Sequence, residues 1–183
     1  MTLRTEALRE LSAWAAPTPD QVALRSAYLD YLAEHDDAMW RRCEPGHLTA
    51  SALVLDRATG RVLLTLHPKV GRWLQTGGHC EPGDRTLAGA ALREATEESG
   101  IDGLELLDQP VRLDRHQVRC RGAGPDGESV HLDVQYLALA PQGAAAKISE
   151  ESLELRWWPV HELPSDVDGS VRALVGRCVA LIG

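Results

Sequence analysis

Phenylalanine is absent from this 183-residue chain, and aromatic residues altogether make up only 4% of it. The five tryptophans must therefore supply much of the aromatic packing. Cysteine is sparse as well. Cys43, Cys80, Cys120 and Cys178 stand far apart, without the CxxC pairs that mark zinc ribbons or thioredoxin-like redox sites, and they read as ordinary reduced thiols. Cys80 lies in the most functional-looking stretch, but a nucleophile needs a positioned base, so a small loop residue is the reading taken.

Two further absences narrow the partners. Lys and Arg form no long block, and the formal charge is −8, which excludes a general attraction to a nucleic-acid polymer. No apolar run approaches the roughly 20 residues of a spanning helix, so no membrane partner is expected. The N-terminus carries charges where a signal peptide needs an apolar stretch, and the expected location is the cytoplasm. A small anionic ligand remains compatible with this charge where a metal neutralises it locally.

What is present is the composition of a folded protein, with 44% hydrophobic and 25% charged residues, long enough for one domain plus an appendage. Leu8, Leu11 and Trp14 recur at helical spacing before a break at Pro17. A second helix is expected from Thr18 as N-cap, with Pro19 at the first helical position and Gln21 completing a capping box, and it runs to about His35. From His47 the pattern turns to strand. Leu48–Leu55 and Arg61–His67 flank a turn at Ala58-Thr59-Gly60, Val111–Arg119 and Val130–Ala140 bracket a turn-rich Gly122–Gly127, and Leu153–Trp158 forms another short strand. Helices are expected at Thr86–Ser99, closed by Gly100, and at Ser170–Leu181. Strands outnumber helices and come in hairpins, so the class is α+β with a mixed or antiparallel sheet. The expected plan is an N-terminal helical extension, 1–43, followed by the main domain, 44–183.

The chemistry gathers in the loop Gly77-Gly78-His79-Cys80-Glu81-Pro82-Gly83-Asp84 and in the helix that ends Arg93-Glu94-Ala95-Thr96-Glu97-Glu98-Ser99-Gly100-Ile101. Glu94, Glu97 and Glu98 stand at i, i+3 and i+4, so their carboxylates share one helical face, where like charges repel unless something cationic offsets them. A hard divalent ion is a natural candidate, since magnesium prefers oxygen ligands and completes its shell with water and phosphate. Gly77, Gly78 and Gly83 give the loop backbone freedom for close approach to a ligand. The loop lacks the Lys-Ser/Thr ending of a P-loop and the spacing of a dinucleotide fingerprint.

This run resembles the box of the Nudix hydrolases, which reads G, five residues, E, seven residues, then R-E-apolar-x-E-E-x-G-apolar. Gly78 fits the first position, and Arg93, Glu94, Ala95, Glu97, Glu98, Gly100 and Ile101 fit the second half. Two positions depart: Asp84 stands where the family has Glu, and eight residues instead of seven separate it from Arg93. The resemblance covers about His47 to Pro164 and implies a Nudix α/β/α sandwich around a mixed β-sheet, with the N-terminal helices outside it.

By that resemblance the chain is a pyrophosphohydrolase requiring magnesium, with manganese as the alternative ion. Glu97 and Glu98 bind the metal, Glu94 joins them or orients the attacking water, and Arg93 orients the glutamates. The implied partner is a small diphosphate substrate, a nucleoside diphosphate linked to another moiety or else a nucleoside triphosphate. A further acid is often recruited in the family, and Glu81, Glu128, Glu150 and Glu151 are available. From their strand positions, Asp114 with His116 and His131 with Asp133 could approach each other in a favourable register of the second hairpin, with polar side chains on a solvated strand face as the equal alternative, and Trp73, Trp157 or Trp158 offer faces for a base. Two other readings stand beside this one: a non-catalytic sensor or protein-interaction domain, and an isoprenoid diphosphate isomerase that would need a proton donor such as Cys80. A homodimer through the N-terminal helices is open.

Overall fold

The computed structural model describes residues 1–119, 128–149 and 152–183. The anticipated turn at 122–127, Cys120, Glu150 and Glu151 lie outside these residues. Among the described residues, four helices and eight strands follow in the order α1 (Leu3–Ala13), α2 (Pro19–Glu34), β1 (His47–Asp56), β2 (Arg61–Leu66), β3 (Trp73–Leu74), β4 (Thr76–His79), α3 (Leu87–Ser99), β5 (Glu105–Leu106), β6 (Arg112–Arg119), β7 (Glu128–Leu139), β8 (Glu154–Pro159) and α4 (Gly169–Ile182). No helix among the described residues is long and apolar enough to cross a membrane.

One mixed sheet organises the molecule, in the order β3-β2-β1-β7-β5, with β4 on β1, β6 on β7 and β8 on β2. The central β1–β7 pair is parallel and runs from His47 opposite His131 to Leu55 opposite Leu139, whereas the other pairs are antiparallel. Strand β1 is buried on both faces, as a central strand covered by helices should be.

Strand alternation divides the core into two layers. Even-numbered Leu48, Ala50, Ala52 and Val54 of β1 join Leu132, Val134, Tyr136 and Ala138 of β7 beneath α1, α2 and α3. Helix α3 presents Leu87, Ala90, Ala91 and Ala95 at helical spacing, and the alanines let it lie close on the sheet. On the opposite face, Leu53, Leu55, Leu64 and Leu137 meet Val171, Leu174, Val175 and Cys178 of α4. The same odd-numbered face becomes polar beyond Leu53, with His47, Thr49 and Ser51 beside Asp133 and Gln135, all buried. The result is the α/β/α sandwich that the resemblance implied.

Side-chain caps start three of the four described helices. The Thr2, Thr86 and Asp168 side chains accept hydrogen bonds from the backbone N–H groups of Thr5, Gly89 and Val171. Gly100 closes α3 at φ +62°, and a side chain there would also meet Lys147 backbone at 3.0 Å, because the Lys147 N–H donates to the Ser99 carbonyl at 2.7 Å.

The capping box anticipated at Thr18 does not form, since Thr18 makes no side-chain cap bond. Gln21 is buried instead, and its amide donates to the Leu113 carbonyl at 3.0 Å and accepts from the Leu113 N–H at 2.7 Å. One side-chain amide thus takes the place of a neighbouring strand along the free edge of β6. Tyr28 adds a bond to the Asp114 carbonyl at 2.5 Å and Tyr31 one to the Gly46 carbonyl at 2.7 Å, so the N-terminal helices are fastened to the sheet by backbone recognition as well as by apolar packing.

Candidate active site

Arg93, on the first part of the acidic stretch of α3, is the hub of the site. Its Nε and Nη2 donate to both Asp84 carboxylate oxygens at 3.2 and 3.0 Å, Nη2 also to the His79 carbonyl at 3.0 Å, and Nη1 to Glu94 and Glu97 at 3.0 and 3.2 Å. A planar guanidinium suits this division, because its fork holds one carboxylate bidentately while its remaining N–H groups reach others. The Asp84 hydrogen bonds come first among the influences that push the Arg93 pKa further upward. A cation therefore already lies against two of the three glutamates, so their mutual repulsion is relieved in part within the chain itself.

The glycines of the loop make room for the protein's own side chains. A Cβ on Gly78 would lie 2.6 Å from the Glu94 carboxylate, and one on Gly77 would lie 2.6 Å from the Ser51 Cα. Glu94 is thus seated against β4 from one side and held by Arg93 from the other. Asp84 stabilises the loop in a second way, accepting from the Glu81 N–H at 2.7 Å while its own N–H donates to the Glu81 carbonyl. Glu97 is exposed and Glu98 half-buried on the same helix.

The remaining acids separate. Glu81 comes within 4.0 Å of Arg93, whereas Glu128 is exposed at the start of β7, opposite Arg119. Asp114 and Asp133 do face each other in register, as do His116 and His131. Their surroundings differ. Burial pushes the Asp114 carboxyl up, but hydrogen bonds from His116 and Ser170 and the nearby Arg112 outweigh it and bring the pKa down to about 2. The His116 ring bonds Asp114 at 2.9 Å, which raises its own pKa. Asp133 is wholly buried, and burial pushes its pKa upward against hydrogen bonds from Ser51, Gln135 and Thr49. A solvated strand face is therefore the wrong description of Asp133.

Trp73 is buried and packs edge-on against Trp158 at 5.3 Å, while Arg156 lies 4.4 Å over the Trp158 ring, so core packing and a cation–π contact employ these indoles. The groove of about 600 Å³ beside them, lined by Arg61, Arg156, Trp157, Trp158, Pro159 and Glu162, includes none of the three glutamates of α3. Cys80 is buried, and burial pushes its thiol up to about 12, a poor starting point for a nucleophile or a proton donor. Among the described cysteines, Cys43, Cys80 and Cys178 are free.

Sequence reasoning missed a group of imidazoles. His47, His79 and His131, from β1, β4 and β7, bring one ring nitrogen each to within 4.8 Å of the others. Burial lowers the pKa of all three, to about 4 for His79 and about 2 for His131, with the Arg41 charge adding to the effect. Their separation along the chain left no spacing signal, because the parallel register of β1 and β7 assembles them.

The sequence matches the NUDIX domain over residues 45–175, more than half of the chain. The chain belongs to the Nudix family. Solved Nudix structures share its fold at low sequence identity. A NUDIX-family hydrolase from Clostridium perfringens aligns with TM-score 0.57 and 21% identity, covering 75% of this chain and 99% of that one. The E. coli dihydroneopterin triphosphate pyrophosphohydrolase aligns with TM-score 0.62 and 22% identity over 73% and 95% of the two chains. The NUDIX domain of Shewanella oneidensis NrtR, solved with ADP ribose, aligns with TM-score 0.52 and 23% identity over 84% and 97%. Comparison with curated proteins finds none that matches. Within the Nudix fold, the Asp84 substitution and the extra residue leave the acid in contact with Arg93, since the loop delivers Asp84 to both guanidinium N–H groups.

Proposed function

We propose that this Nudix protein hydrolyses the diphosphate linkage of a nucleoside diphosphate joined to another moiety, with nucleoside triphosphates as the second substrate class. The observation that carries the reading is the Arg93 hub, which holds Glu94 and Glu97 on one face of α3 and ties that face to the loop through Asp84 and the His79 carbonyl. The donor set is made of carboxylates, which fits a hard divalent ion such as magnesium, or manganese in its place. Glu97 and Glu98 are its proposed ligands. When bound, the ion neutralises diphosphate charge and promotes attack of water at phosphorus.

The chain's own residues supply position. Glu94 is pressed between Gly78 and Arg93, and a fixed carboxylate is required whether it completes the metal shell or orients the attacking water. Arg93 holds these acids apart and in place, a positioning role. Gly78 lets β4 lie close enough to α3 for this contact, and Gly77 lets β4 lie close against Ser51 of β1. Residues 1–43 are read as an extension that stays folded on the 44–183 domain.

The name of the E. coli neighbour and the ADP ribose in the NrtR complex guide the choice of candidate substrates. Purified protein with magnesium is expected to release phosphate, pyrophosphate or a nucleoside monophosphate from at least one member of a panel of nucleotide sugars, dinucleotides and triphosphates, and Glu97→Gln to abolish that release. Tight binding without turnover across the panel would replace this reading with that of a nucleotide sensor.

A further inference from the structure

The three histidines lie on the opposite side of the sheet from the glutamates. Gly78 faces the Glu94 carboxylate in the α3 layer, so alternation along β4 turns the next residue, His79, to the other face. Register places His79 opposite Thr49 and His47 opposite His131, bringing the three rings together with centroids 4.9–5.1 Å apart. This end of the odd-numbered face lies beyond the apolar residues that pack against α4.

Two of the three rings carry buried nitrogens that core packing does not satisfy. His47 has 0% exposure, and neither of its ring nitrogens makes a hydrogen bond of good geometry among the described residues, although the Cys43 backbone lies near enough to raise its pKa; Nε2 of His131 makes none either. Buried polar atoms in native proteins nearly always find partners, and an unpartnered imidazole nitrogen costs its desolvation for no return. The neighbouring acid does not serve them, since Asp133 is engaged by Thr49, Ser51, Gln135 and Gln75.

We propose that His47, His79 and His131 bind one divalent transition-metal ion of the zinc class, at a site separate from the acidic face of α3. Neutral imidazole nitrogens are borderline ligands suited to zinc, nickel, cobalt or copper, whereas magnesium selects oxygen. Three nitrogens at about 2.0–2.1 Å from an ion leave a fourth position for water or a ligand oxygen. One nitrogen of each ring lies within 4.8 Å of the others, and inward side-chain rotation would bring the three to bonding distance of such an ion. The Arg41 charge acts on all three rings and opposes any added cation, so the metal–nitrogen bonds must exceed that repulsion.

The test reads metal directly and so stands apart from the hydrolase reading. Tag-free, chelator-stripped protein is titrated with zinc against a chromophoric competitor, in excess magnesium, and separately with cobalt while visible absorption is recorded. The expected result is one zinc per chain, a cobalt spectrum of nitrogen ligation, and a loss of affinity of about tenfold or more in both His79→Gln and His131→Gln. The Glu97→Gln/Glu98→Gln double variant should keep both signals. Circular dichroism shows which variants fold, and should His47→Gln fail, the half-buried His79 and His131 decide the matter. Zinc binding that magnesium displaces, or that disappears with the two glutamates and survives His131→Gln, would overturn the proposal, as would no binding at all.

Discussion

Arg93 grips both oxygens of Asp84, at 3.2 and 3.0 Å, across an interval one residue longer than the family pattern. The acid thus reaches the guanidinium despite the longer connection. Asp84 is only 8% exposed in its side chain, so removing it leaves a guanidinium with fewer partners in a partly dry place. Asp84→Ala is expected to lower folding stability by about 1.5–3 kcal/mol in urea unfolding, the range for a hydrogen bond to a charged group. Arg93→Lys is expected to reduce hydrolysis sharply while the protein stays folded, because a point charge cannot hold Asp84 and both glutamates together. Unchanged kcat/KM in that variant would remove Arg93 from the positioning role.

The two loop glycines should fail differently. A methyl group at Gly78 meets the far end of the flexible Glu94 side chain, whereas one at Gly77 meets the Ser51 Cα. Gly78→Ala is therefore expected to keep its stability within about 1 kcal/mol and lose activity, as Glu94 is pushed aside. Gly77→Ala is expected to lose about 1–3 kcal/mol through overpacking against backbone. Thermal unfolding and turnover, measured together on both variants, separate the two cases.

Gln21 offers a test of the N-terminal helices. Truncation to Ala would strand the Leu113 N–H and carbonyl at the edge of β6, a loss of about 1–3 kcal/mol by the cost of unsatisfied buried groups. Amide exchange at Leu113 should accelerate in the same variant. Equal exchange rates in both proteins would mean that the Gln21 amide does not protect this edge of the sheet.

A pH dependence follows from Glu10. Burial raises its pKa above the ordinary carboxyl value, against the hydrogen bond donated by Tyr136 at 2.7 Å. A group with a raised folded pKa contributes stability that is fully present below its unfolded value, near 4.5, and lost as pH rises through the folded one. Glu10→Gln keeps an acceptor for Tyr136 and removes the buried charge. It is expected to raise the unfolding temperature at pH 7 and to have a smaller effect at pH 4. A gain that is larger at pH 4 than at pH 7 would contradict this assignment.

The local code was read well wherever one element carries its own signal. Helix α3 shows its buried stripe and its closing glycine, and Arg93, Glu94 and Glu97 lie close enough in sequence for their contacts to follow from helical spacing. The short β3, β4 and β5 have two to four residues each, too few to display a period, and tertiary pairing alone defines them. Gln21 sits where a capping residue belongs, but a partner 92 positions away offered its amide two hydrogen bonds in place of one. His47 and His131 are neighbours only through the parallel pairing of β1 with β7, and the burial of Asp133 depends on the same pairing.

The opposed directions of Gly78 and His79 restrict how this protein's length can vary. Strand β4 is a partition between two layers, addressed by even positions on one side and odd on the other. Inserting or deleting a single residue within it would exchange the two faces, turning an imidazole toward α3 and opening a gap among the histidines. Indels in the strand are thus tolerable only in pairs. The extra residue between Asp84 and Arg93 lies downstream of it, where the chain has already left the sheet and parity no longer matters.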